Sequence, residues 1–313
     1  MAGWLAGSLP VHPADGGGSA QQRAQAGDVL AALGDPRFDP QRFHLPRDDM
    51  LGFVRIPADP EFRIGTRKTD AKRVAGIFGY DVDDDELNDA LTPTPELYIA
   101  RYPVTVVQFR AFVEATGFEI GDADALRDPD SRPVRRVSWH EARAYCEWLN
   151  DMVATSPVIE GIAAARLVRE GLWRVALPSE LEWEKAARGG LPDAVFSWGD
   201  TLDPNRANYA DSGIGDTAPV GCFPANGFGL QDMIGNVWEW TRSLWVNYPY
   251  DPDDRNREDL EAGNDESRVV RGGAWDGSRD FARCAFRGRA HPDSRNDGIG
   301  FRVVLRSAPV PSL

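Results

Sequence analysis

Lysine, cysteine and histidine are scarce in this sequence, and each scarcity narrows the possibilities. Lys68, Lys72 and Lys185 are the only lysines, so 32 of the 35 basic residues are arginine, a bias that codon usage in a GC-rich genome explains. Three cysteines (Cys146, Cys222 and Cys284) are too few for a disulfide scaffold, and their spacing alone fixes no pair. The four histidines (His12, His44, His140 and His291) are scattered, and no CxxC or HxxxH pair occurs. This argues against a zinc site or a histidine-based iron site. No apolar run approaches the roughly 20 residues that span a bilayer. The start, MAGWLAGSLPVHPADGGGSA, lacks the basic opening and apolar stretch of a secretory signal. A cytoplasmic protein with no membrane span is the default expectation, with surface display left open.

What is present is ordinary for a globular chain. The 313 residues give room for one large domain or two small ones, with 42% hydrophobic and 27% charged residues. The 49 acidic residues outnumber the basic ones and leave a formal charge of −14. That field repels phosphate backbones and anionic membranes, so nucleic acid is not an expected partner.

Residues 1–48 form an N-terminal extension or linker. Gly16–Ser19 is flexible, and Gln21–Leu33 reads as a short helix ended by Gly34-Asp35-Pro36. The extension has too few apolar residues for a core of its own. Beyond it, Phe53–Pro57 and Leu97–Tyr102 read as strands and Val106–Glu114 as a helix. Ser138-Trp-His-Glu141 is a capping box whose helix presents Ala142, Tyr145, Cys146 and Leu149 on one face, so Cys146 reads as a buried small hydrophobe. A second box, Ser179-Glu-Leu-Glu182, opens a helix that stops at Gly189-Gly190. After about residue 190 helical signals vanish. Short strand-like runs remain at Val237–Thr241, Arg268–Val270 and Phe301–Leu305, among tryptophans 198, 238, 240, 245 and 275, each of which needs a partner surface.

The ordered blocks Arg101-Tyr-Pro-Val-Thr105, Val137-Ser-Trp-His-Glu-Ala142, Leu177-Pro-Ser-Glu180, Glu182-Trp-Glu184, Ala207-Asn-Tyr209, Thr217-Ala-Pro-Val220, Phe228-Gly-Leu230, Gly235-Asn-Val-Trp-Glu-Trp240, Arg271-Gly-Gly273 and Ile299-Gly-Phe-Arg302 resemble the formylglycine-generating enzyme family, also called sulfatase-modifying factors. The likeness runs from about residue 50 to 307. It implies one domain over 49–313 with an α+β, C-type-lectin-like fold, low in regular secondary structure and rich in loops.

The resemblance also implies structural calcium. Asp232, Gly235, Val237 and Glu239 match one site, and two carboxylates with backbone carbonyls suit a hard cation. Asn208, Tyr209 and Ile214 match a second, with Asp211 as the acid, although Ser212 stands where alignment expects one. The bland alternative for Asp232 and Glu239 is turn capping and a solvated charge. The family's oxidases use two cysteines about five residues apart to hold copper(I) and exchange with a substrate thiol. Counted from Gly273, those positions fall near Gly277 and Ala282, and Cys284 is the only thiol of that segment. No copper is therefore expected, unless Cys222 meets Cys284. A related branch adds an upstream iron-binding domain, for which the short extension has no room.

Residues 271–302 resemble the variable region of proteins diversified by retroelements. A skeleton of RGG-W, ARCA-R-R, P-R and GFRVV separates positions without evident fold logic: Asp276, Gly277, Ser278, Arg279, Asp280, Phe281, Phe286, Gly288, Ala290, His291, Ser294, Asp297 and Gly298. Diversified codons of the form NNC or NNT cannot encode Lys, Gln, Glu, Met or Trp. These five make up 39 of the 313 residues, which projects to about 3 in residues 276–298, and none occurs there. Surface loop residues would look much the same.

Two functional classes remain. One is a non-catalytic module whose adaptable surface binds a ligand, expected to be a protein, with Phe281, Phe286, Arg279, Arg287, Arg289 and His291 as anchors. Some arginines are structural instead: Arg283, Arg287, Arg289 and Arg302 belong to the skeleton and are expected to pair with buried acids. The other is an enzyme, a copper-dependent oxidase or related iron oxygenase. No Ser-His-Asp set, catalytic carboxylate pair or phosphate loop stands out, because no GK[ST] follows Gly16–Gly18. A sensor or adaptor part within a longer protein shares the physics of the first class.

Overall fold

The computed structural model describes residues 2–251 and 253–308, apart from the side chains of Trp4 and Arg255. In chain order its helices and strands are α1 (Ala2–Ser8), α2 (Ala20–Ala32), β1 (Phe38–Asp39), β2 (Leu45–Pro46), β3 (Phe53–Ile56), α3 (Ala71–Phe78), β4 (Leu97–Ala100), α4 (Val106–Thr116), α5 (Trp139–Thr155), α6 (Ala163–Arg169), β5 (Trp173–Ala176), α7 (Glu180–Ala187), β6 (Trp238–Leu244), β7 (Arg268–Arg271), β8 (Arg287–Ala290), β9 (Ile299–Gly300) and β10 (Val304–Ser307). Among the described residues no α-helix follows α7, and no helix is long and apolar enough to cross a membrane.

Capping chemistry sets where the long helices begin. In α4, α5 and α7 the side chains of Thr105, Ser138 and Ser179 accept from the third helical N–H. Gln108, Glu141 and Glu182 reach back to the cap N–H in return. The α5 face then buries Ala142, Tyr145, Cys146, Leu149 and Val153. Phe109 and Phe112 of α4 and Phe301 ring Tyr145 at centroid separations of 6.0, 5.8 and 5.4 Å. Each such ring contributes about 1.5–3 kcal/mol by leaving water.

Two four-stranded sheets flank this core. In the first, the order is β3-β4-β10-β5 and all pairs are antiparallel. The second runs β8-β7-β6-β9, with β9 parallel to β6 and an irregularity in β6 between Trp240 and Leu244. The N-terminal extension packs on the body: Leu9, Ala20, Ala24 and Leu30 share a cluster with Ala218, Cys222 and Phe223.

Long loops are tied down by buried ion pairs, and here arginine does what lysine cannot, since its fork answers several acceptors at once. Glu180 accepts from Arg287 Nη2 at 3.1 Å and from Tyr248. Glu184 holds both Arg188 and Arg271. Glu86 takes Arg283 at 2.6 and 2.8 Å, and Glu182 takes Arg242 at 2.6 Å. Burial alone pushes the Glu180 carboxyl up, but Arg287 and Arg271 outweigh it and hold it below the usual carboxylate range.

Candidate functional site

The site is organised by the turn at 232–240. Gly235 has φ of 73°, and an added Cβ would stand 2.2 Å from the Asn208 carbonyl oxygen, so only glycine fits where the two backbones cross. Asn236 then ties four segments together. Its backbone N–H donates to Asn208 O at 2.7 Å, its side chain brackets Ala218 N and O at 2.8 and 3.0 Å, and its carbonyl accepts from Trp275 N. Two residues on, Trp238 N donates to Gly298 O at 2.7 Å. Both ends of residues 276–298 are thus fixed to one turn.

Within that segment burial separates into two classes. Arg271–Ala274, Ala282–Ala285, Arg287, Pro292 and Ile299–Leu305 are buried, whereas none of the thirteen positions singled out in the sequence is. At the centre, Phe286 and Phe281 stand 4.9 Å apart by ring centroid, with Trp238 at 5.8 and 6.2 Å from them. Phe281 is 37% exposed. Around them lie exposed Asp276, Ser278 bonded to Asp280, and Arg279 paired with Asp211 at 2.9 Å. Asp297 pairs with Arg136, and Arg135 lies over the Trp275 ring. Gly277 O accepts from Ala210 N. Ala290, half-buried, and His291, exposed, lead into the turn with Ser294, whose N–H bonds His291 O, beside the start of α5.

Three expectations need correction. Among the described residues Arg289 pairs with no buried acid; it is exposed and lies over the Trp245 ring at 5.2 Å. Gly288 and Gly298 are not open to variation: an added Cβ would meet Val270 Cγ2 at 2.9 Å and Trp238 at 3.1 Å in the first case, and Ala274 Cβ at 2.9 Å in the second. Trp238 was missed as the centre of the surface. Strand alternation could not single it out, since Trp238 and Trp240 share a face by period and only Trp240 is fully buried.

The proposed cation ligands are only partly brought together. Asp232, at φ of 55°, accepts from Gly221 N at 2.7 Å through Oδ2, while its buried Oδ1 has no partner among the described residues. Burial raises its carboxyl to about 6. An orphaned carboxylate oxygen fits a cation. Glu239 fits less well. Its Oε2 accepts from Arg302 Nε at 2.6 Å and Trp183 Nε1 at 2.7 Å, and its Oε1 from Arg302 Nη2 at 2.7 Å. Gly235 O accepts from Val237 N. In the second set, Asn208 Oδ1 accepts from Ser212 Oγ at 2.9 Å, and Ile214 N donates to the same hydroxyl at 3.4 Å. Tyr209 is buried. Asp211 is turned outward to Arg279, so the acid that this set requires does not reach Asn208. Among the described residues no three His, Cys, Asp or Glu side chains cluster as metal ligands.

All three thiols are free and buried. Cys222 lies against α2, with Sγ 3.5 Å from Arg23 O, and Cys284 lies in another cluster, beside Ser197. The two do not meet. Burial pushes the Cys284 thiol to about 11 and raises Cys222 as well.

Comparison with known proteins places this geometry. The sulfatase-modifying factor enzyme 1-like domain matches residues 60–307. The bovine (Bos taurus) protein named inactive C-alpha-formylglycine-generating enzyme 2 is 32% identical over 272 residues, covering 80% of this chain and 75% of that protein. PvdO from Pseudomonas aeruginosa superposes with a TM-score of 0.61 at 27% identity, covering 81% of this chain and 93% of PvdO. Treponema denticola variable protein 1 gives 0.57 at 22% identity, covering 81% and 94%, a likeness of fold.

Proposed function

This chain belongs to the sulfatase-modifying factor enzyme 1-like family, with the α+β, C-type-lectin-like fold of the formylglycine-generating enzymes, and we propose that it is a non-catalytic ligand-binding member. It displays residues 276–298 around Trp238 as an adaptable surface on a rigid scaffold. The observation that carries this reading is the separation of burial: none of the thirteen positions is buried, Gly288 and Gly298 being held by close packing, while the skeleton between them is locked by Arg271, Arg283 and Arg287. Aromatic and arginine side chains among small polar ones suit a protein ligand. The name of the bovine relative, an inactive enzyme, agrees with a scaffold used without turnover.

Panning a random-peptide phage library on the protein tests it. Enriched peptides are expected to bind the wild type and to lose at least tenfold in affinity for the Phe281→Ala, Phe286→Ala double variant. Equal binding to both would remove the surface from the argument. Stoichiometric copper(I) uptake with oxidation of a cysteine peptide would favour an oxidase instead. Diversification of the segment is part of the same proposal. An adenine-rich near-copy of the DNA encoding residues 271–302, beside a reverse transcriptase gene, is the expected genomic signature.

We further propose one structural calcium ion, held through Asp232 and neighbouring carbonyls, with Glu239 engaged by Arg302. Chelation is expected to lower the melting temperature of the wild type and to leave Asp232→Asn unchanged; equal shifts would exclude this position.

A further inference from the structure

A cleft of about 310 Å³ is lined by none of residues 271–302. That volume suits a small molecule. Phe62 and Lys185 of α7 are buried at its floor, Phe228 is half-buried on its wall, and Leu191 is exposed at its rim.

Lys185 is unusual in its setting. Its side chain is 5% exposed, yet its partners are weak: Nζ donates to Thr94 Oγ1 at 2.8 Å, and Asp59 stands 3.5 Å away and is itself 42% exposed. Lysine is almost never buried unless paired. The remaining neighbour of Nζ is the Phe62 ring, whose centroid lies 5.8 Å away. Burial lowers the pKa of the amine despite Asp59.

The charges around the cleft do not cancel at its floor. Arg188 is answered by Glu184 and by the Gly65 and Ala194 carbonyls. Arg67 is answered by Asp193 at 2.6 Å. Arg63 reaches only the Asp89 carbonyl at 3.2 Å and stands 3.9 Å from the same Asp193. Arg63 and Arg67 therefore share one carboxylate, Asp193, and Lys185 has only the half-exposed Asp59, while Glu61 is exposed. One negative charge is missing, beside two aromatic rings and a leucine. The C-terminal end of α7 adds a negative field that opposes incoming negative charge, a dianion more than a monoanion.

We propose that this cleft binds a small organic monoanion, a carboxylate on an apolar body, with the carboxylate on Lys185 and Arg63 and the body against Phe62, Phe228 and Leu191. The site is independent of the proposed 276–298 surface, and either can fail without the other.

Isothermal titration of the whole chain with phenylacetate, phenylacetamide and inorganic phosphate tests it. Phenylacetate is expected to saturate one site, the neutral amide to bind at least tenfold more weakly, and phosphate to give no saturable heat. Lys185→Met, and Leu191→Glu at the rim, are each expected to weaken phenylacetate at least tenfold with the melting temperature kept. Should Lys185→Met not fold, Leu191→Glu decides. The proposal is overturned if phenylacetate gives no saturable heat, if the amide binds equally well, if phosphate binds more tightly, or if the substitutions leave binding unchanged.

Discussion

Glu239 of β6 holds the guanidinium of Arg302 through both carboxylate oxygens, at 2.6 and 2.7 Å, with both residues at most 1% exposed. Arg302 passes the connection on to the Ala100, Gln231 and Asp232 carbonyls. The pair thus clamps the organising turn to the start of β10. Glu239→Gln leaves a buried cation without its counter-charge, at a cost of about 3–5 kcal/mol. Urea denaturation checks this, and a loss under about 1 kcal/mol would show that the clamp is dispensable.

Thiol reactivity follows from burial. With Cys284 at about 11 and Cys146 and Cys222 raised, almost no thiolate exists at pH 8. A thiol-exchange reagent is expected to label none of the three in the native protein and all three in guanidinium. Fast labelling of one thiol in the native state would contradict the buried positions.

Acid stability has a definite sign. Burial tends to raise Glu180 and Glu182, but Arg287 and Arg242 hold both below the ordinary value of 4.5. The unfolded chain therefore takes up these protons first, and stability falls as pH drops below that value, by up to about 3 kcal/mol per pH unit for the two together. Glu86 and Glu258 are raised by burial, so the native state binds their protons above 4.5 and loses stability as pH climbs through their native range. Denaturation midpoints measured across pH are expected to peak on the mildly acidic side of neutrality. A midpoint that rises steadily to pH 8 would exclude this balance.

Positions in the exposed segment are expected to differ in tolerance. Gly288→Ala drives a methyl group into Val270 and Trp238 and costs about 1–3 kcal/mol. Phe281→Ala, at a site 37% exposed, costs less than about 1 kcal/mol. Thermal denaturation of the two variants separates them, and the reverse order would invert the assignment of scaffold and surface.

The helices with complete local signals were legible in the sequence. Ser138–Glu141 and Ser179–Glu182 form the expected capping boxes, and α2 ends at Ala32 with Leu33 as its cap, beside Gly34. The face of α5 is buried as its spacing predicts. Other elements carry no such signal. Asp70 makes no side-chain cap for α3, and Arg287-Gly-Arg-Ala290 is a strand only because β7 pairs with it and Glu180 receives Arg287. Within residues 271–302, the burial of Arg283, Arg287 and Arg302 on acids was legible, because arginines in an apolar setting need fixed partners. Contacts across the chain were not: Trp238 beneath Phe281, Gly288 against Val270, and Asp211 drawn to Arg279 all depend on distant segments.

The position of β10 bears on how the chain is made. It lies between β4 and β5, so Ile99 and Ala176 wait for Val304 to become their common neighbour. A ribosome delivers β3, β4 and β5 more than a hundred residues before the strand that joins them. Until then the facing edges of β4 and β5 stay unpaired, and the nascent chain carries the β3–β4 pair and a lone β5 that have to avoid other polypeptides. Closure of this sheet therefore waits for the synthesis of β10, and its long range makes folding slow.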